Sequence, residues 1–321
     1  MGKSVQSILK TLRGLNAKVF GAPVIDVDKY MLNDHDKAAN VIYNFLVDDE
    51  PRMIARFGAN ELSCLMNYKG VRKNDRNIIR YIRGKSLEWW WNENIIQLMH
   101  TGAGFFPPEA GKIEKFCELM MDDIAYIDAL GSWLPGEKMF DEELKHVIKL
   151  NLLTLDPYWA TEPWTRALEG KNVLVVHPFA KTIETQYLKR EYLFKNNMLP
   201  EFNLKTVKAV QSIAGNKTPF ADWFEALDYM KDQIDGIGYD ICLIGAGAYG
   251  FPLAAHVKRS GKKGFHIGGS LQLLFGIRGK RWENNYHHIY DYRDLVNKYW
   301  VRPGEDEKPV NAELVEDGCY W

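Results

Sequence analysis

Strand and helix patterns alternate through the second half of the chain, and this alternation constrains the fold more than any other feature. Four apolar runs have the length and composition of strands, within KNVLVVHPF, LKTVKAVQSI, YDICLIGAG and GFHIGG. Helical periodicity separates them in TIETQYLKREYLFKN, PFADWFEALDYMKDQI and GFPLAAHVKRSG. Strands and helices that alternate at this spacing form βαβ units, so a largely parallel α/β sheet flanked by helices is predicted.

The first half contributes one more strand-to-helix junction and a helical region. RMIARFGANELSCLMNY indicates a strand from Met53 to Phe57, a turn at Gly58 and a helix from about Asn60. Periodicity from position 73 to 121 is mostly helical, and DIAYIDALG is predicted as the next strand. We therefore expect a Rossmann-like α/β domain over residues 50–300 with a helical insertion at about 70–125, a preceding helical segment (1–49) and an irregular tail (301–321).

Bulk composition excludes several classes of protein. The chain has 321 residues and 46% hydrophobic content, enough for a sizeable core, and 41 basic against 42 acidic residues give no overall attraction to nucleic acid. Its four cysteines include no CxxC pair, which argues against a zinc ribbon and a disulfide framework and predicts a reducing, cytoplasmic setting. No apolar run approaches the roughly 18 residues of a membrane span.

Residues 3–20 form an amphipathic helical pattern with a basic polar face. An apolar stripe shares this segment with four cations and no acid, the stripe being Val5, Ile8, Leu9, Leu12 and Leu15 and the cations Lys3, Lys10, Arg13 and Lys18. Two interpretations remain open. The stripe packs on the protein's own core or a partner helix, or it makes peripheral contact with the inner face of a membrane.

A glycine turn, GAGAYG, joins the strand in YDICLIGAG to the following helix. Its Gly245, Gly247 and Gly250 spell GxGxxG, and in a parallel sheet such a turn offers helix-terminal N–H groups to a phosphate. NAD(P) binding would also require an acid about 20 positions on, where this chain has His266 followed by Ile-Gly-Gly. We interpret residues 245–249, including Tyr249, as a ligand loop and keep an NAD(P)-dependent oxidoreductase as the alternative. Gly250 alone is explained by close packing of helix on sheet.

Three segments, RFGANEL, GKNVLVVHPF and GFHIGGSLQLLFGIRGKRW, resemble bacterial glycosyltransferases of the GT-D type, over roughly residues 50–285. The resemblance implies transfer of a sugar from a nucleotide-diphosphate sugar to a glycan, glycolipid or glycoprotein acceptor during assembly of cell-surface polysaccharide. In that family a DxE motif after RFG holds a divalent metal, Mn²⁺ or Mg²⁺, against the diphosphate. The matching residues here are Ala59, Asn60 and Glu61, so the first acid is absent. Weaker metal binding, a metal-free site that uses Arg or Lys, and an inactive homologue all remain open.

Glycosyl transfer requires positive charge for the leaving diphosphate and a base for the acceptor hydroxyl. The candidate phosphate-binding groups are three cations and the backbone of two turns, namely Arg56, Lys181, Lys280, Gly245, Gly247, Gly268 and Gly269. Lys280 belongs to a basic run with Arg278 and Arg281. We expect Arg56 and both glycine turns to share one cleft.

The candidate bases are Glu61, which is also the candidate metal ligand, and His177, which follows an apolar strand. His266 follows another strand and is a candidate for substrate contact, as are Asn60 and Tyr249. Glu61 also fits an ordinary acid in the first turn of a helix. A nucleotide-sugar-binding protein without catalytic activity is a further alternative.

Overall fold

The computed structural model describes residues 2–21, 31–284, 290–314 and 318–321. Its centre is a seven-stranded sheet in the order β3-β2-β1-β7-β6-β4-β5, and every pairing is parallel. The strands are β1 (Arg52–Ala55), β2 (Ala129–Ser132), β3 (Ile148–Asn151), β4 (Asn172–His177), β5 (Asn203–Lys208), β6 (Ile241–Ile244) and β7 (Lys263–His266). The predicted Rossmann-like α/β fold is confirmed.

Helices cover both faces of this sheet. They are α1 (Lys3–Phe20), α2 (His35–Val47), α3 (Ala59–Lys73), α4 (Ile78–Ile82), α5 (Glu93–Thr101), α6 (Ala110–Ile124), α7 (Ala180–Tyr187), α8 (Arg190–Leu193), α9 (Trp223–Asp235), α10 (Gly250–Arg259), α11 (Leu271–Leu274) and α12 (Lys280–Asn284). The region expected to be a helical insertion thus contains α4, α5 and α6.

Strand side chains alternate between two cores, as a sheet buried on both faces requires. In β4, Leu174 and Val176 pack in the core that includes residues of α3, α5, α6, α9 and α10. Val173 and Val175 pack in the core that includes residues of α2, α7 and the C-terminal tail. The fully apolar centre of KNVLVVHPF reflects this burial on two sides.

The segment DIAYIDALG differs from its prediction. Asp123 and Ile124 are the last residues of α6, and only Ala129 to Ser132 form β2. Ile124 is buried in the first core, so the apolar spacing that indicated a strand belongs partly to the inner face of a helix. The edge strand β3 was not predicted, because four residues of IKLN carry little periodicity.

The two ends of the chain pack on the sheet. In α2, Ala38, Ala39 and Ile42 are buried in the second core, so this helix belongs to the α/β body. The described part of the tail has no strand or α-helix, as expected, yet Cys319 and Trp321 are buried in the same core. Among the described residues, no helix has the length and apolarity needed to cross a membrane.

Candidate functional site

A cavity of about 220 Å³ opens at the carboxyl ends of β1, β7, β6 and β4. The chain leaves β6 through α10 toward β7 and leaves β4 through α7 toward β5, so the two connections run in opposite directions across the sheet. Such a switch point leaves a crevice beyond the strand ends, where α/β sheets bind ligands. Arg56 and both glycine turns line this one cavity.

The β6 turn brings the backbone close to its neighbours. A Cβ on Gly245 would lie 2.6 Å from His177 Cδ2 and 2.8 Å from the carbonyl oxygen of Gly268. The N–H of Gly245 donates to the Val176 carbonyl, so that amide completes the sheet edge. The amides that remain to meet a ligand are those that follow, where a 3₁₀ turn from Gly247 to Tyr249 leads into α10.

The β7 turn has the same character. The N–H of Gly268 donates to the Ile244 carbonyl at 3.3 Å, and its φ of +84° is a conformation that favours glycine. A Cβ on Gly269 would collide with the ring of Tyr320. Both glycines line the cavity, and the lack of a side chain at Gly269 lets the tail pack against the turn.

Two guanidinium groups line the cavity. Arg56 follows β1 and stacks on Trp133, with its Cζ 5.1 Å from the ring centroid, while Trp133 Nε1 donates to the Phe57 carbonyl. Arg281 lies over the ring of Tyr320 at 4.6 Å and donates to its hydroxyl at 2.9 Å. The aromatic rings restrict both side chains, and planar guanidinium groups suit recognition of phosphate oxygens.

Glu61 occupies the first turn of α3 and also lines the cavity. Its carboxylate folds over Gly58, where a Cβ would collide with it, and it accepts its own backbone N–H. Burial raises its pKa, while that backbone N–H and the charge of Arg56 oppose the shift. Asn60 lies beside it, on the wall near Gly102. The position therefore fits both interpretations of Glu61, the helix-capping acid and the cavity carboxylate.

His177 is buried at the end of β4 and presents a hydrogen-bond donor. Its Nδ1 accepts the backbone N–H of Phe179 at 3.0 Å, and burial lowers its pKa to about 3. The ring is thus neutral and carries its proton on Nε2. A histidine in this tautomer cannot accept a proton at Nε2, so the structure argues against His177 as the general base.

His266 at the end of β7 has the opposite tautomer. Its Nδ1 lies 3.4 Å from the Ile244 carbonyl oxygen, and this contact favours the tautomer with the proton on Nδ1. Burial and the nearby charge of Arg56 lower its pKa to about 3 against the effect of that carbonyl. The two histidines line the same cavity, one offering an N–H and the other a lone pair.

Tyr249 is a buried structural residue of the cavity wall. Its ring stacks on Trp223 with centroids 4.9 Å apart and planes 6° from parallel. Its hydroxyl lies 2.9 Å from Ser212 Oγ, which donates to the Gly104 carbonyl, so Tyr249 ties the loop after β5 to the turn after β6. Its ring also borders the cavity.

Lys181 and Lys280, both expected to bind phosphate, do not line the cavity. The ammonium of Lys181 pairs with Asp306 at 2.8 Å on the surface. Lys280 begins α12 and is exposed, whereas the next residue, Arg281, reaches the cavity. A change of one position turns a helical side chain by about 100°, which separates these neighbours.

The cavity offers few of the ligands that a divalent metal would need. Among the described residues that line the cavity, Glu61 is the one carboxylate, and its oxygens face the α3 terminus. No cluster of three or more His, Cys, Asp or Glu side chains suited to a metal exists in the described ranges. Mg²⁺ and Mn²⁺ favour several oxygen ligands, so these residues do not fit the metal that the resemblance implies.

No sequence pattern identified several of the residues that form the cavity wall. Trp133, Ser212, Gln272, Tyr320 and Trp321 come from four separate segments of the chain, the last two being neighbours in the tail. Gln272 is fully buried, and its Nε2 donates to three carbonyls, one of them that of Tyr320, which fixes the tail against α11. The aromatic pair near position 320 could be noticed in the sequence, but nothing local connects it with a site formed by strand ends.

Comparison with protein-family models, with curated proteins and with solved structures found no match to this chain. The function is therefore argued from the site itself.

Proposed function

We propose that the protein is a glycosyltransferase that binds a nucleotide-diphosphate sugar in this cavity and transfers the sugar without a divalent metal. The acceptor class that we propose is a glycan, glycolipid or glycoprotein of the bacterial cell surface. One observation carries the proposal. Arg56, Arg281 and the amides that follow Gly245 and Gly268 converge on one cavity at the carboxyl edge of a parallel sheet.

The diphosphate is assigned to the cationic part of the cavity. Two guanidinium groups and the amides after Gly245 and Gly268 supply the charge and the donors that a metal supplies elsewhere. Tyr320 and Trp321 offer aromatic faces to the base or the sugar.

The reaction breaks the bond between the anomeric carbon and a diphosphate oxygen and forms a bond to the acceptor hydroxyl oxygen. Glu61 is assigned as the base that takes the hydroxyl proton, because it is a cavity carboxylate whose pKa is raised by burial. His177 Nε2–H is assigned as a donor to the departing phosphate and His266 Nε2 as an acceptor that orients a hydroxyl.

The lack of disulfide bonds among the four cysteines supports the proposed cytoplasmic setting, where nucleotide sugars would be the donors. All four are unbridged, and Cys64 Sγ lies 3.6 Å from Cys117 Sγ without a bond between them. Thiols this close stay reduced most readily in a reducing compartment.

Release of free nucleotide from a panel of nucleotide-diphosphate sugars, measured with EDTA and with Mn²⁺, tests this function. We expect slow hydrolysis by the wild type in EDTA with one donor class. Glu61→Gln should lower kcat by about 100-fold or more while donor binding is retained, since a general base contributes about 10²–10⁴ in rate. Arg56→Ala should weaken donor binding itself.

Lys181→Ala is the matched control, because it removes a cation outside the cavity and should leave kcat and Kd unchanged. Thermal stability read with the same ligands separates the alternatives, since a ligand at 100 times its Kd adds about 2.7 kcal/mol. If NADH stabilised the protein and no nucleotide sugar did, the protein would be an oxidoreductase and the proposed transferase function would be wrong. Binding of a nucleotide sugar with no turnover under any condition would leave a non-catalytic binding protein.

A further inference from the structure

An apolar stripe on α1 has no partner within the described part of the chain. Five side chains spaced three and four residues apart are 41% to 71% exposed, namely Val5, Ile8, Leu12, Leu15 and Val19, and Phe20 beside them is 80% exposed. α4 packs on α1 and adds Ile78 and Ile79, 50% and 62% exposed. We call these residues, with the exposed cations Lys18, Arg76, Arg83 and Lys85, the α1–α4 surface.

The orientation of α1 is fixed by its other sides. Leu9 is buried with Tyr81 and Trp90, and the Arg13 guanidinium donates to the Ser86 carbonyl at 3.0 Å. Lys3 and Lys10 reach Glu93 and Glu88. Successive side chains of a helix are rotated by about 100°, which places these two lysines on the flank opposite the apolar stripe. The stripe is therefore directed away from the protein.

The charge of this surface is one-sided. Residues 3–20 and 76–85 contain eight Lys or Arg side chains and no Asp or Glu, and three of the eight, Lys3, Lys10 and Arg80, pair with acids of neighbouring segments. Exposed members of this set include Lys18, Arg76, Arg83 and Lys85. Apolar side chains beside such cations are the combination with which an amphipathic helix lies in the interface of an anionic bilayer.

A basic groove adjoins the same surface. Lys73 and Lys85 line it together with Arg72, and Ser86, whose carbonyl anchors Arg13, forms part of its wall. Asp75 is the one carboxylate on the described lining. The groove thus offers a concentration of positive charge where a lipid headgroup would lie if α1 were at a membrane.

We propose that the α1–α4 surface docks the protein on the anionic face of a lipid bilayer, with α1 in the interface plane. A second copy of the chain is the competing occupant, because the stripe has coiled-coil spacing. A symmetric pair would bring the same cationic surface against itself, and like charges across an interface oppose association. Anionic lipid satisfies both the apolar and the charged parts of the surface.

Co-sedimentation of the full chain with vesicles tests the docking. We expect binding to phosphatidylcholine vesicles that contain phosphatidylglycerol, weaker binding as salt is added, and no binding to phosphatidylcholine alone. Ile8→Asp with Leu15→Asp should lower the partition coefficient roughly tenfold or more, because both side chains would enter the interface. Lys73→Gln with Lys85→Gln should lower it about fivefold for each charge removed.

The control variant carries Leu188→Asp and Val310→Asp, the same change at exposed apolar positions elsewhere. It should bind anionic vesicles as the wild type does. Unchanged circular dichroism and melting temperature establish that each variant is folded.

Failure of the wild type to bind anionic vesicles, or full binding by the Ile8/Leu15 variant, overturns the proposal. A dimer seen by light scattering that the same variant dissociates, without vesicle binding, assigns the surface to a second copy. Neither result depends on the transferase activity.

Discussion

Gly250 shows how one position of the glycine turn supports another strand end. A Cβ at this residue would collide with the imidazole of His266, which is buried at the end of β7. The third glycine of GxGxxG therefore makes room for a side chain, in keeping with the close packing expected for it. In this chain the motif shapes the cavity wall as well as the turn after β6.

Gly250→Ala should lower the free energy of unfolding by about 1–3 kcal/mol, the usual cost of overpacking a well-packed core. Urea unfolding monitored by circular dichroism measures it. Gly238→Ala is the matched control, because a Cβ there meets nothing within 4 Å, and it should change stability by no more than about 0.5 kcal/mol. Equal effects of the two substitutions would contradict the contact with His266.

At the scale of elements, α9 depends on one residue at its start. Asp222 is the N-cap, and its carboxylate accepts the Glu225 N–H at 2.9 Å while pairing with Lys112 of α6 at 2.5 Å. The same side chain thus caps the start of α9 and links α9 to α6. Since α9 places Trp223 against Tyr249, this cap supports the wall of the cavity.

Asp222→Ala should cost about 1–2 kcal/mol, because it removes both the cap and the ion pair. Asp222→Asn should cost less than about 1 kcal/mol, since Asn caps a helix nearly as well and a partly exposed ion pair contributes little. Chemical denaturation of both variants makes the comparison. If Asp222→Asn were as costly as Asp222→Ala, the ion pair with Lys112 and not the cap would dominate.

At the scale of the whole molecule, buried titratable groups act on stability in opposite directions. His266 stays neutral when folded, with a pKa of about 3 against an ordinary value of 6.5, so between these values the unfolded chain binds one more proton. The contribution of neutral His266 to the free energy of unfolding is present above pH 6.5 and is lost as pH falls toward 3. Burial raises the pKa of Asp123 to about 6 despite its contact with Arg259, so its contribution is lost as pH rises from 3.8 to 6.

Between about pH 4 and 6 the two groups should each change the slope of unfolding free energy by about 1.4 kcal/mol per pH unit, with opposite signs. His266→Gln should therefore make stability rise less steeply with pH than in the wild type, and Asp123→Asn should make it rise more steeply. Urea unfolding at a series of pH values measures both slopes. A change of the same sign in the two variants would contradict the assignment.

The structure also relates the two proposed sites. Lys3 of α1 pairs with Glu93 at the start of α5, and α5 ends beside Gly102, which lines the cavity. A helix of nine residues spans about 14 Å, so the inner flank of α1 and the cavity are separated by roughly one short helix.

Much of the fold could be predicted from the sequence, and its errors have local causes. The segments around β4, β6 and β7 were recognised because a strand buried on both sides is a short apolar run between glycine turns. DIAYIDALG was misassigned because the inner face of α6 and the start of β2 make one apolar run. Within the basic run, Lys280 was preferred to Arg281 because residue type alone does not show which side chain points inward.

What the sequence determined by itself is the parallel α/β architecture and the edge at which a ligand would bind. Periodicity is a property of neighbouring residues, and parallel strands place all their carboxyl ends on one edge. The tertiary structure decided the chemistry of that edge. Arg56 meets Trp133 and Arg281 meets Tyr320 across 77 and 39 positions of the chain, and His266 Nδ1 meets the Ile244 carbonyl at the end of another strand. Such contacts arise only when the sheet is assembled, because no local pattern specifies which distant side chains will share a cavity.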